Sequence, residues 1–273
     1  MLDRISKLEN VAKVLRAHAL RMVHASKASH LGSCLSMADL LAALDWDVLR
    51  LRPDDPEWPD RDRFILSKGH GAAILYATLA ERGFFPAGEL ASYCLSGSRL
   101  TGHATSGVPG VELSSGSLGH GLPVACGMAL AAKRGKLPFR VFALLSDGEL
   151  DEGSNWESFL FAPQHQLDNL TVIIDFNKIQ SFGRVEDILA LEPLADKLRA
   201  FRWAVQEIDG HDFGQILHAL DGTPLVAGKP TVIIAHTVKG SGISFMEDRL
   251  AWHYSSPTDE QVKQGLAELG VGA

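Results

Sequence analysis

Two segments of this chain are uninterrupted runs of β-branched and other apolar residues at strand length, FRVFALL (139–145) and LTVIIDF (170–176). WAVQEID (203–209) and PTVIIAHT (230–237) repeat the type. A strand with one wet face alternates apolar and polar residues, so a run without alternation implies burial on both faces. Helix-compatible segments separate the runs. Strands of this kind alternating with helices predict an α/β fold: a parallel sheet of right-handed βαβ units, flanked by helices on both faces.

The first half fits the same plan. Leu8, Val11, Val14, Leu15 and Met22 recur at helical spacing, predicting a helix over roughly 3–27. A second helix is expected through SMADLLAALDWDVL, with Ser36 as its N-cap and Asp39 in its first turn. RPDDPEWPDRD (52–62) reads as a surface connection, and RFILSKGHGAAILYATLAERG as a short strand, a glycine turn and a helix ending at Gly83. Residues 96–121 form a glycine- and serine-dense loop, too long for a plain connector and so a functional candidate. No linker divides the chain, and its 273 residues fit one domain over 1–273.

Charge excludes some roles. With 26 Lys and Arg against 33 Asp and Glu the formal charge is −7, so nothing global favours nucleic acid or an anionic membrane. No apolar stretch is long enough to span a bilayer, and the charged amphipathic N-terminus lacks a signal-peptide core. Cys34, Cys94 and Cys126 stand far apart without metal spacing, as expected of thiols in a reducing, cytoplasmic compartment.

Chemistry concentrates in three loop clusters. In open parallel sheets ligands gather beyond the carboxyl ends of the strands. There the stretch LLSDGELDEGSNWES (144–158) crowds Asp147, Glu149, Asp151, Glu152 and Glu157 together. Asp147 follows one strand directly, and Asn177 follows the next. If those strands are neighbours, a carboxylate and an amide oxygen meet at one sheet edge. With a nearby main-chain carbonyl they make half of an octahedral oxygen shell, which suits Mg²⁺. Gly148 would let the backbone approach a diphosphate. Asp and Asn after strands also cap turns and helices, and that reading stays open. The second cluster, SSGSLGHG (114–121), opens a helix whose start could receive an anion. The third is histidine: His30, His70, His103, His120 and His253 all lie in loops or at element ends. Converging on one cleft, they would supply acid–base groups near neutral pH.

Taken together these residues resemble the N-terminal, diphosphate-binding domain of transketolase, a thiamine diphosphate enzyme. The anchors, in order, are SHLGS, RFILSKGHG, LTGH, GVELSSGSLGHGLPVACGMALAAK, SDGELDEGSNWE, IIDFNKIQ and AWH, spanning nearly the whole chain. The resemblance implies that Asp147, Asn177 and the Ile179 carbonyl ligate Mg²⁺ or Ca²⁺. It places Gly116, Ser117, Leu118, Gly148 and Glu149 at the cofactor, and His70 and His253 against its diphosphate. His253 would reach the acceptor sugar, His30 the substrate hydroxyls, and His103 the hydroxyl beside the donor carbonyl. Glu152 would link paired active sites across a subunit interface. Glu149, Asp151 and Glu157 also read as helix-start charges, favourable at the positive end of a helix dipole.

The family's usual GDG is SDG here and DNN or DYN is DFN, both sparing the ligating side chains; SGHPG becomes SHLGS and LGQG becomes LGHG. The last two bear on which sugar is accepted, a phosphate ester of central metabolism or an unusual, nucleotide-linked one. About twenty residues follow His253, short of a further domain, so the expected protein is the N-terminal subunit of a split transketolase. A C-terminal subunit carrying the pyrimidine-binding domain would complete an α₂β₂ heterotetramer. The expected reaction moves a two-carbon ketol unit from a ketose to an aldose. Alternatives are a subunit of a 2-oxo acid dehydrogenase, a deoxyxylulose-phosphate-synthase-like protein, or a non-catalytic cofactor-binding subunit. The histidine set favours sugar chemistry, and the full metal set argues against a decayed site.

Overall fold

A computed structural model describes residues 2–272. Its centre is one five-stranded, all-parallel sheet: β1 (Arg63–Leu66), β2 (Val141–Ser146), β3 (Leu170–Phe176), β4 (Ala204–Asp209) and β5 (Thr231–His236), in the order β1-β2-β3-β5-β4. Among the described residues ten α-helices accompany it: α1 (Leu2–Ser26), α2 (Leu31–Ser36), α3 (Ala38–Ala43), α4 (Ala72–Arg82), α5 (Gly121–Gly135), α6 (Gly153–Gln164), α7 (Val185–Ile188), α8 (Leu194–Ala200), α9 (Phe213–Asp221) and α10 (Asp259–Leu269).

The apolar runs are continuous because alternate residues serve two cores. Phe142, Leu144, Ile173, Ile233 and Ala235 join a cluster with residues of α1–α4, α9 and α10. Their neighbours Val141, Ala143, Leu145, Val172, Ile174, Val232 and Ile234 join a second cluster with α5, α6 and α8. The period-2 alternation of side chains thus feeds both faces, as the fold class requires.

Two expectations need correction. WAVQEID is not buried like the other runs. β4 is an edge strand, with Gln206 and Val205 half-buried and Glu207 and Asp209 exposed; such charges discourage pairing with another chain. The helix expected to start at Ser36 is also different. α2 begins at Leu31, breaks at Met37, resumes as α3 and ends in a π-helical turn over Leu44–Val48. Ser36 closes α2 and caps nothing. Its hydroxyl donates to Ser33 O at 3.2 Å and Asp175 Oδ2 at 2.6 Å. Asp39 does lie in a first turn, that of α3, where a buried Arg16 grips both its oxygens at 2.9 and 2.6 Å.

The long glycine-rich loop has no regular structure beyond turns, yet it is tied down. Ala104 N donates to Gly69 O at 3.0 Å, Ser115 N to Ala104 O at 2.9 Å, and Ser115 Oγ to Leu66 O at 2.7 Å. Among the described residues no helix is long and apolar enough to cross a membrane, and the three cysteines are unpaired.

Candidate active site

β2 and β3 pair in register, Ser146 opposite Asp175, so the chain leaves both strands at the same edge. Asp147 takes the position just after β2, and its carboxylate fastens the two exits together. One oxygen accepts from Gly148 N at 2.8 Å, the other from Lys178 N. Lys178 has φ 68°, in the left-handed region, and Asn177 and Ile179 on either side of it face one cavity. This cavity, about 190 Å³, is also walled by Asp147, Gly148, Gly116 and Leu118.

The donor set fits a hard divalent cation. Asp147 is 1 % exposed, and burial, reinforced by the nearby Asp175, pushes its carboxyl up to about 6. A cation at the cavity wall would remove that penalty. The other donors are oxygens too, the Asn177 amide and the Ile179 carbonyl. One carboxylate with two neutral oxygens suits Mg²⁺ or Ca²⁺ and not a soft metal. Accordingly, no group of three or more His, Cys, Asp or Glu side chains is disposed to hold a metal among the described residues. Gly148 is required by space: a Cβ there would lie 2.7 Å from Gln180 Cβ.

Four histidines from four separate stretches close the other side. The ring of His30 lies 5.2 Å from His70, 5.7 Å from His103 and 5.1 Å from His253, centroid to centroid, and His70 lies 5.8 Å from His253. His30 itself is held in the left-handed region (φ 70°), where its N–H donates to His253 O at 2.8 Å. A non-glycine residue in that conformation is a strain the surrounding structure must support, as is common at functional sites. Burial, then His103 and Lys239, lowers His30 to about 4. Burial and Lys239 lower His253 to about 3, and burial with Lys68 drives His70 well below the ordinary histidine range. At neutral pH these three rings are uncharged, each able to donate one hydrogen bond and accept another.

The remaining expected site residues lie elsewhere. His120 is exposed, its ring nitrogen 3.1 Å from Leu118 O, and does not join the cluster. Ser117 is exposed and outside the cavity wall. Glu149 is neither a solvated helix-start charge nor a lining residue. It is fully enclosed and accepts from Ser67 Oγ, from Gly119 N at 2.9 Å and from Ser146 N at 3.3 Å. Those bonds engage both its oxygens, so it fastens the loops from outside the cavity wall. Asp151 accepts from Gln180 Nε2 at 3.2 Å, and Glu157 lies beyond the first turn of α6. Glu152 is the N-cap residue of α6, with an exposed side chain.

Several cavity residues escaped the sequence reading, Ser146, Gln180 and Ser181 among them, and one of the others is charged. Lys239 is 1 % exposed, and its ammonium donates to Ile179 O at 2.8 Å and to His253 Nδ1 at 2.9 Å. Burial, then Lys68, lowers it to about 8. The signal was present in HTVKGSG, a lysine set among glycines immediately past a strand end. Ser33 was missed as well; it lines the cavity from α2.

Residues 7–273 match the family described as "Transketolase, thiamine diphosphate binding domain". The chain is 41% identical over 263 residues to the 6-deoxy-6-sulfo-D-fructose transketolase subunit SqwG of Clostridium sp. (strain MSTE9), covering 96% of each chain. It is 44% identical over 265 residues to one subunit of the apulose-4-phosphate transketolase of Actinobacillus succinogenes, again covering 96% of each. The solved transketolase of Leishmania mexicana superposes with a TM-score of 0.91 at 30% identity over 97% of this chain, which spans 41% of that protein's length. The chain thus belongs to the transketolase family and corresponds to its thiamine diphosphate-binding domain.

Proposed function

We propose that this chain, as one diphosphate-binding domain over 1–273, is the N-terminal subunit of a two-chain transketolase. It would transfer a two-carbon ketol unit from a ketose to an aldose with thiamine diphosphate and Mg²⁺. The observation that carries this reading is the single cavity in which Asp147, Asn177 and the Ile179 carbonyl face a cluster of histidines. Relatives of matching length include the two described above as transketolase subunits. That supports a separate C-terminal subunit carrying the pyrimidine-binding domain, in an α₂β₂ assembly, with exposed Glu152 at the contact. Unpaired cysteines fit a cytoplasmic setting.

When bound, the cofactor supplies the electron sink for breaking the bond next to a ketose carbonyl. The chain's own residues do the rest. Asp147, Asn177 and the Ile179 carbonyl hold the cation, and Gly148 leaves the diphosphate room to approach. Lys239, His70 and His253 donate to phosphate oxygens from a buried wall, where such charge-assisted bonds are strong. Gly116 and Leu118 form the opposing wall. His30 and His103 face the sugar hydroxyls. Because burial disfavours the charged ring, neutral His30 would relay a proton only in concert, accepting at one ring nitrogen as the other gives one up.

The sugars named for the relatives differ, a sulfo-fructose in one and an apulose phosphate in another. What this chain is proposed to share with them is therefore the ketol chemistry. Calorimetric titration with thiamine diphosphate, with and without Mg²⁺, tests the first half of the proposal. Co-expression with a candidate C-terminal partner, followed by a donor–acceptor screen read by mass spectrometry, tests the second. Magnesium-independent cofactor binding, or full transfer by this chain alone, would overturn it.

A further inference from the structure

Asp175 lies in β3 two residues before Asn177, fully enclosed and absent from the cavity wall. Its carboxylate accepts from four side chains on four separate stretches. These are Ser36 Oγ of α2 at 2.6 Å, the Lys68 ammonium after β1, the Thr237 hydroxyl after β5, and Asn177 Nδ2 at 3.3 Å. Lys68 is equally enclosed and also donates to Ser33 O at 3.1 Å. A carboxylate can only accept, so the end of Asn177 turned toward Asp175 has to be its NH₂. The amide oxygen is then left on the other side, where it accepts from Ile179 N at 3.2 Å with a second lone pair to spare.

We propose that Asp175 is a positioning residue that fixes the orientation of the Asn177 amide, so that an oxygen and not an NH₂ faces the cation. This rests on the cation reading above. A flipped Asn177 would present two N–H donors to a positive ion, so orientation decides whether the ligand set exists at all. Outer partners of metal ligands commonly act this way.

The test replaces the buried pair by apolar residues, because removing Asp175 alone would strand the Lys68 ammonium. Mn²⁺ is titrated into the full chain at saturating thiamine diphosphate, with free ion counted by electron paramagnetic resonance and folding followed by thermal unfolding. Lys68→Met/Asp175→Leu should bind Mn²⁺ about 10–100-fold more weakly than wild type. Lys68→Met/Asp175→Asn keeps an acceptor oxygen toward Asn177 and should recover most of that loss. If the leucine variant does not fold, Lys68→Met/Asp175→Ala replaces it with the same expectation. Wild-type affinity in the apolar variant would overturn the proposal, as would equal weakening in both doubles, which would mean general loosening of the hub. Failure of the wild-type chain to bind Mn²⁺ with the cofactor would overturn the cation reading itself.

Discussion

Five acidic residues follow β2 within eleven positions, the last of them inside α6, and a pair of substitutions separates fastener from ligand. Glu149→Ala removes the acceptor of Gly119 N–H, Ser146 N–H and the Ser67 hydroxyl in a site with no exposed surface. The hydroxyl can rotate to another partner; the two amides cannot. Each unsatisfied buried donor costs roughly 1–3 kcal/mol, so the two amides cost about 2–6 kcal/mol; losing a poorly solvated carboxylate returns part of that, leaving a destabilisation of about 1.5–5 kcal/mol. Asp147→Ala frees only Gly148 N–H and Lys178 N–H, at a wall that cavity water can reach, so it should cost no more than about 1.5 kcal/mol. Burial already disfavours its charge, which makes it a poor contributor to stability. Urea unfolding followed by circular dichroism in metal-free buffer measures both, and calorimetry with thiamine diphosphate and Mg²⁺ measures the other half. Asp147→Ala should stay folded and lose metal-dependent cofactor binding. If Glu149→Ala unfolds within about 1 kcal/mol of wild type, or Asp147→Ala keeps tight metal-dependent binding, the division of roles is wrong.

Further outcomes follow from the same geometry. His30→Ala and His103→Ala should bind the cofactor normally and turn over poorly once the C-terminal partner is present; loss of cofactor binding in calorimetry would move both rings off the substrate side. Lys239→Met should weaken cofactor binding about 10-fold or more, the scale of one hydrogen bond to a charged group, and unchanged affinity would remove it from the diphosphate wall. For pH, folded His30 titrates near 4 against an ordinary 6.5, so between those values the unfolded chain binds more protons. Stability is then complete above pH 6.5 and is lost as pH falls toward 4. After discounting for the ring's access to the cavity, the loss is at most about 1 kcal/mol per unit. Urea unfolding at pH 7 and pH 5 should show a smaller drop for His30→Asn than for wild type; equal drops would refute the assignment.

How much of this was legible beforehand depended on whether a property was local. FRVFALL and LTVIIDF announced buried strands because alternate residues, such as Phe142 and Ala143, each meet a core. Asp147 and Asn177 were legible as neighbours because successive runs in a parallel sheet tend to lie side by side, and here they do. Glu149 was misread because its neighbours in sequence are acidic and polar, while its actual partners, Ser67 and Gly119, lie in other loops. Strand order had the widest consequence. The chain passes β5 between β3 and β4, so the loop after the last strand lands beside the loop after the third. That swap carries Thr237 onto Asp175 and Lys239 onto the Ile179 carbonyl. No local pattern in PTVIIAHTVKG distinguishes a central strand from an edge, yet the burial of WAVQEID differs from it through Gln206 and Glu207. Those polar residues make β4 the poorer interior strand, and the better one takes the inner slot and brings its lysine to the Ile179 carbonyl.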